Sequence, residues 1–345
     1  MDRSLRDIRS SELPFGGITV VLGGDFQQTL PVMVKASRED TVFATVQRSH
    51  IWHNICVLHL TQNMRLHANR HRTEFAQWLL EVGHGNTVNA DTGSGSISLP
   101  TNIACSNQDD LIRFLYGTTP PTVTPPPQYF YDRVLLTPLN DDVRKLNSCI
   151  LHLFPGSLRT YVSADTQVVE PGTQHCPNIV PVEFLNSLNA SGLPLANLEL
   201  KLGCPIILLR NLDHKHGLCN GTRATVVQMT NRILQVRLLG GDHDGEMALI
   251  PRITLTPSIH GVDFTIHLKR RQFPVQLAFA MTINRSQGQS VARVAVDLRT
   301  PAFAHGQLYV AFSRVTSSNS IKVLLPSETP SQTTNVVYPE VLLDD

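Results

Sequence analysis

The chain alternates short apolar runs with mixed polar stretches, and the period of each run predicts an element. Residues 18–22 read Ile-Thr-Val-Val-Leu and end in Gly23-Gly24-Asp25, the pattern of a short buried strand closed by a turn. A helix is expected over 41–53, and a second apolar strand at 55–60 leads into Thr61-Gln-Asn-Met-Arg65. Phe75, Trp78, Leu79 and Val82 recur at helical spacing. Residues 133–136 then predict a strand and 141–153 a helix, together a β–turn–α unit. From 200 to 268 the pattern changes. Short strands at 205–210, 223–228, 233–239 and 246–250 are separated by Asn-Gly, Gly-Gly and Asp-Gly turns, which predicts a small all-β insertion. Alternation of strand and helix returns with strands at 277–283 and 294–297 and a helix near 307–313. No solenoid repeat is present.

Two stretches interrupt these patterns. Thr92-Gly-Ser-Gly-Ser96 reads as a flexible loop, and the five prolines between 118 and 127 exclude a helix or central strand there. The expected division is an α/β unit at 1–100, a Pro-rich linker at 101–130, and a second α/β unit at 131–199 and 273–326. The all-β insertion occupies 200–272 and a flexible tail 327–345.

Length and composition narrow the class. A chain of 345 residues accommodates two cores. No apolar run reaches the roughly 18 residues of a membrane helix, and the start, Met1-Asp-Arg-Ser-Leu-Arg6, has no apolar signal core. A soluble, non-secreted chain is expected. The six cysteines form no Cys-x-x-Cys pair, which argues for a reducing compartment and against a disulfide framework. His67 and His71, and the cluster His214, His216 and Cys219, lack a complete ligand set, so no protein-only metal site is expected. Net charge is only +1, yet residues 251–314 carry eight Lys or Arg against Asp263 and Asp297. Such a block suits a polyanionic partner.

Four places carry candidate chemistry. Asp25 and Gln28 follow a strand directly, at the sheet end where open α/β folds bind ligands; a carboxylate there can hold magnesium-bound water and an amide can orient an attacking one. Arg65 also follows a strand, and Arg314 closes a short helix. Planar cations of this kind stabilise charge spread over a transferring phosphoryl group. In the stretch 280–290, Ala-Met-Thr-Ile-Asn-Arg-Ser-Gln-Gly-Gln-Ser, an apolar strand end runs into a dense set of donors suited to nucleic-acid phosphates.

In order along the chain, these stretches resemble the petite-integration-frequency (Pif-like) helicases, superfamily-one enzymes, and especially the helicase portion of Helitron-type rolling-circle transposons. The resemblance rests on residues 22–32 (Leu-Gly-Gly-Asp-Phe-Gln-Gln-Thr-Leu-Pro-Val), 60–66 and 136–140 (Leu-Thr-Pro-Leu-Asn). It continues through 209–213 with 217–223, then 273–290 and 309–315. It implies RecA-like helicase lobes, the first incomplete and the second complete, with a small Src-homology-3-type barrel as the all-β insertion. It implies ATP and Mg2+ as cofactors, single-stranded DNA as partner, no membrane, and a nuclear or mitochondrial location. By position, Asp25 and Gln28 resemble the pair that senses magnesium and the γ-phosphate, and Arg65 and Arg314 the arginines that reach ATP from the two lobes. Thr282, Arg285, Ser286 and Gln287 resemble the loop that contacts the DNA backbone, with Gly288 coupling it to the nucleotide, and Thr137 and Asn140 a further strand-holding turn.

Two departures alter what the resemblance implies. Asn284-Arg285 stands where family members have His-Lys, which keeps the charge and loses the imidazole. None of the six lysines follows a glycine, so no Gly-x-x-x-x-Gly-Lys-Ser/Thr loop is present, and no Asp-Glu pair precedes residue 18; Val294-Ala-Val-Asp297 is followed by Leu298. The expectation is a 5′-to-3′ ATP-dependent DNA helicase represented by an N-terminally truncated chain that is inactive alone. Its strand at 18–22 would lack neighbours, and the missing half or another helicase chain would be its partner. The competing expectation is a non-catalytic single-strand-binding remnant or regulatory partner.

Overall fold

The computed structural model describes the chain except residues 34, 62–69, 87, 90–92, 118–125, 169–179, 191, 258–266 and 343–345. Arg65, His67 and most of the Pro-rich run therefore lie outside the described residues, while His71 falls in the Arg70–His84 helix. At the centre is a five-stranded, fully parallel sheet. Its order is Ala280–Thr282, Arg133–Thr137, Arg293–Asp297, Ile321–Leu324 and Ala104–Cys105. Parallel strands are covered on both faces, so their residues are apolar without alternation. Val134, Leu135 and Leu136 are all buried, as are Val294, Ala295 and Val296. One face packs the Gln108–Tyr116 and Asn140–Leu153 helices, the other the Arg70–His84 and Gln307–Phe312 helices. Asn147 sews the sheet to its helix: its amide donates to the Leu277 and Ala280 carbonyls and its oxygen accepts from the Ala280 N–H. The expected α/β class with a parallel sheet is what the chain forms.

The all-β part contains a five-stranded antiparallel sheet ordered Met247–Pro251, Ile233–Leu239, Arg223–Met229, Pro205–Leu208 and Val275–Leu277. Four of these strands fall where the sequence places them. The module also recruits residues before 200: Arg159–Val162 pairs with Asn197–Leu200, and Ala164–Val168 pairs with His267–Gln272. Polar residues there face inward. Arg270 and Asp165 form an ion pair at 2.7 Å with both side chains fully buried, and Arg270 also donates to the Pro194 and Leu185 carbonyls. An inward Asp and Arg defeat a reading based on alternating apolar residues, which is why the two strands are illegible in the sequence.

Three expectations change at the boundaries. Residues 101–130 are more than a linker: Ala104–Cys105 is a sheet strand, and Gln108–Tyr116 is a helix whose Leu111, Ile112 and Leu115 are core. Pro127 opens the Pro127–Tyr131 helix, at the first-turn position where a missing N–H costs nothing. Ser94–Ser98, which overlaps the flexible loop expected at 92–96, pairs along its length with Gln332–Val336, inside the expected flexible tail. Small polar residues suffice because the pairing is set by backbone and by Ile97 and Val336.

The N-terminal segment is the largest difference. Residues 18–22 and 55–60, both expected as strands, form no strand and have no strand partner among the described residues. The expected helix at 41–53 is instead a helix at Arg38–Phe43, capped by Ser37 and Asp40, followed by two short 3-10 turns. Val21 is 90% exposed and Leu60 fully so.

Candidate functional site

Gly24-Asp25-Phe26-Gln27-Gln28 folds as a self-bonded turn. The Asp25 carboxylate accepts from the Gln27 backbone N–H at 3.0 Å and from the Gln28 amide at 3.1 Å. The turn is seated on the parallel-sheet unit at glycines. A Cβ on Gly306 would stand 2.4 Å from the Gln27 carbonyl oxygen, and one on Gly83 would stand 2.7 Å from the Gln27 side chain. Gly306 also has φ +70°, so it is glycine for two independent reasons. Thr29 continues the contact, donating to the Gln287 amide oxygen at 2.8 Å.

On the opposite side, Ile283–Ser286 is a single 3-10 turn after the Ala280–Thr282 strand, and Gly288 takes φ +80°. Arg314 holds this loop from below. Its guanidinium donates to the carbonyls of Ser286 (3.1 Å), Gln289 (2.8 Å) and Val310 (2.8 Å), and to the Ser313 hydroxyl. Ser286 is buried and donates to the Ile283 carbonyl. Arg285 is partly buried, and desolvation holds its pKa below the ordinary arginine value.

Between the two lies a polar cleft of about 240 Å³ lined by Asp25, Gln28, Gly288, Ser290, Tyr309, Ser313 and Arg314. The fold thus gathers four of the sequence candidates, Asp25, Gln28, Gly288 and Arg314, from segments nearly 290 residues apart. Arg65 lies outside the described residues. Thr137 and Thr282 face each other at the carboxyl ends of adjacent strands, but both are buried, and the Thr137 hydroxyl has no hydrogen-bond partner among the described residues. Asn140 is exposed at the start of its helix, and Gln287 is exposed beside the cleft. Ser290, Tyr309 and Ser313 were not among the sequence candidates, although each sits within a stretch that drew attention. No lysine lines the cleft, and among the described residues no group of His, Cys, Asp and Glu could hold a metal ion by itself. One carboxylate, one amide, two serine hydroxyls and a guanidinium fit the outer end of a polyphosphate with its hydrated cation. They do not supply the grip on the inner phosphates.

Fold and cleft together define a mixed α/β protein built on a parallel sheet, with polar groups gathered in one cleft beside it. Comparison with known proteins makes this specific. A family model for PIF1-like helicases matches residues 1–93, one for the 2B domain of DNA helicase Pif1 matches 183–229, and a helicase model matches 238–334. The ATP-dependent DNA helicase PIF1 of Xenopus laevis is 29% identical over 326 residues, covering 92% of this chain and 43% of that protein. The human PIF1 helicase is 30% identical over 331 residues, covering 92% and 42%. The crystal structure of Pif1 helicase from Candida albicans superposes with a TM-score of 0.58 at 25% identity, over 94% of this chain and 68% of that one. Bacteroides Pif1 bound to single-stranded DNA gives a TM-score of 0.62 at 20% identity over 99% and 68%, a likeness of fold. The chain belongs to the Pif1-like helicase family. It spans under half the length of the Xenopus and human relatives.

Proposed function

We propose that this chain is the nucleotide-sensing and strand-holding part of an ATP-dependent 5′-to-3′ DNA helicase, with ATP and Mg2+ as cofactors and single-stranded DNA as partner. The observation that carries the reading is the convergence of Asp25, Gln28 and Arg314 on one cleft. A bound nucleotide with its magnesium would supply the hydrolysis energy. The chain's own groups would do the sensing: Asp25 holds Gln28 by its amide, and Arg314 holds the 286–289 loop by its carbonyls. A change at the cleft would therefore be felt by the loop carrying Arg285 and Gln287, which face the DNA backbone in this reading. Thr137 and Thr282, being buried, would shape that surface rather than touch the strand. The module at 159–277 would act as a Src-homology-3-type barrel beside the strand. Recombination, repair, telomere maintenance or rolling-circle transposition in nucleus or mitochondrion is the proposed setting.

Catalysis in such sites is positioning plus electrostatics, and the cleft holds no lysine. That observation favours a second reading, in which the chain alone binds single strands, or regulates a partner, without hydrolysing ATP. Anisotropy of a labelled single-stranded oligonucleotide, with ATPase measured in parallel, tests both. Salt-sensitive binding with background ATPase is expected. ATPase well above background would refute the inactive reading, and absence of single-strand binding at low salt would refute the strand-holding assignment.

A further inference from the structure

His305 lies outside the stretches that carry the family resemblance, is 2% exposed, and sits at the seam between the 25–28 turn and the C-terminal segment. Its Nδ1 stands 2.8 Å from the Tyr338 backbone nitrogen, and its Nε2 stands 2.8 Å from the Phe26 carbonyl oxygen. The two partners fix the tautomer. A backbone N–H can only donate, so Nδ1 accepts; a carbonyl can only accept, so Nε2 carries the proton and donates. The imidazole is therefore neutral and bridges two segments 312 residues apart in sequence (26 and 338).

We propose that His305 is a positioning residue for the cleft: in its Nε2-protonated neutral form it holds the turn that presents Asp25 and Gln28, fixing that turn against the Gln307–Phe312 helix and the C-terminal strand. This rests on the reading of the cleft given above. Two neighbouring residues act in the same place. Gly306 lets the Gln27 and Gln28 backbone approach to 2.4 Å of where a Cβ would stand, and its N–H donates to the Val336 carbonyl at 3.0 Å. Gln307 is buried, takes the Phe303 and Ala304 N–H groups on its oxygen and donates to Asn284 at 3.0 Å, which reaches the 283–286 turn. The segment 303–307 thus ties one wall of the cleft to the other, and His305 is its only ionisable member.

A second proton would place Nδ1–H against the Tyr338 N–H, donor to donor. The bridge then cannot persist on both sides. The charged groups around the ring pull in opposite directions. The Glu340 and Asp25 carboxylates favour the imidazolium, while burial, the larger influence, holds its pKa below the ordinary histidine value. Arg38 pairs with Glu340 at 2.8 Å and lies over the Tyr338 ring, which weakens the pull of Glu340.

The test is 15N and amide NMR of the full chain across a pH titration, on the native protein and on His305→Gln, which keeps a donor toward Phe26 and cannot ionise. The native ring is expected to show the Nε2–H tautomer at neutral pH. The Gln27, Gln28 and Tyr338 amide signals should shift together as His305 protonates, and in His305→Gln they should stay near their neutral-pH positions at every pH. His305→Leu should lose those positions at every pH while signals of the Asn140–Leu153 helix stay in place. An Nδ1–H tautomer, or titration of His305 that leaves the Gln27 and Gln28 signals unmoved, would overturn the proposal. Addition of ADP with aluminium fluoride separates the two inferences: the expected NMR pattern with no response to this probe upholds the clamp and counts only against the nucleotide reading of the cleft.

Discussion

The run at 18–22 is as short as Arg133–Thr137 and more apolar, yet it forms no strand and is largely exposed, while the other is the heart of a sheet. Leu135 and Leu136 are fully buried, whereas Val21 is 90% exposed. The difference lies in what stands beside each run. A strand's N–H and C=O groups need partners on its edges, and its side chains need covering layers on its faces. The Arg133–Thr137 strand has a parallel neighbour on each edge and helices on each face. Residues 18–22 have neither among those described. Propensity makes a run competent to be a strand, and neighbours make it one.

The contrast can be sharpened by substitutions ordered by expected cost. Arg270→Leu should be the most damaging, because it leaves the Asp165 carboxylate buried and unpaired; a loss of about 3–5 kcal/mol in denaturant unfolding is expected. Leu136→Ala opens a cavity in the parallel sheet and should cost about 2–5 kcal/mol by the same measurement. Gly306→Ala forces a left-handed alanine into the Gln27 backbone. The conformation alone costs about 1–2 kcal/mol, and the turn at 25–28 should gain hydrogen-exchange lability while the Asn140–Leu153 helix does not.

Acidification acts at the same seam and more gently. His305 has a folded pKa below its ordinary value of 6.5, so the unfolded chain takes up its proton first as pH falls. The stability it contributes is complete above about pH 6.5 and declines below it. The melting temperature should therefore fall more between pH 7 and pH 5 in the native chain than in His305→Gln. At the other extreme, Leu60→Ser at a fully exposed site should change unfolding free energy by no more than about 0.5 kcal/mol. A large loss there would mean that 55–60 is covered in solution and would erase the contrast between the two regions.

The legible and illegible parts of the chain divide along the same physical line. The parallel strands, the Asn140–Leu153 and Gln307–Phe312 helices and the hairpins of the all-β module announce themselves because burial imposes an apolar period and turns demand glycine. Strands whose inward positions are Asp165, Arg270 or Gln272 give no such signal, since their stability comes from paired polar groups. The pairing of Ser94–Ser98 with Gln332–Val336 joins segments more than 200 residues apart and shows only in three dimensions. At the cleft, residue types at a strand end pointed to Asp25 and Gln28, and at a helix end to Arg314. Arg314 is expected from the sequence to reach toward a nucleotide; what the structure shows is its guanidinium holding the carbonyls of the 286–289 loop. Nothing in the sequence near 305 marked the histidine that holds the opposite wall.

The convergence of the 25–28 turn with the 286–314 segment can be tested directly by placing a benzophenone amino acid at position 28 and mapping its photo-crosslinks by mass spectrometry. Adducts on peptides containing Gly288, Ser290, Tyr309 or Ser313 are the expected result. Crosslinks confined to the first sixty residues, or absent altogether, would contradict a shared cleft and with it the functional assignment.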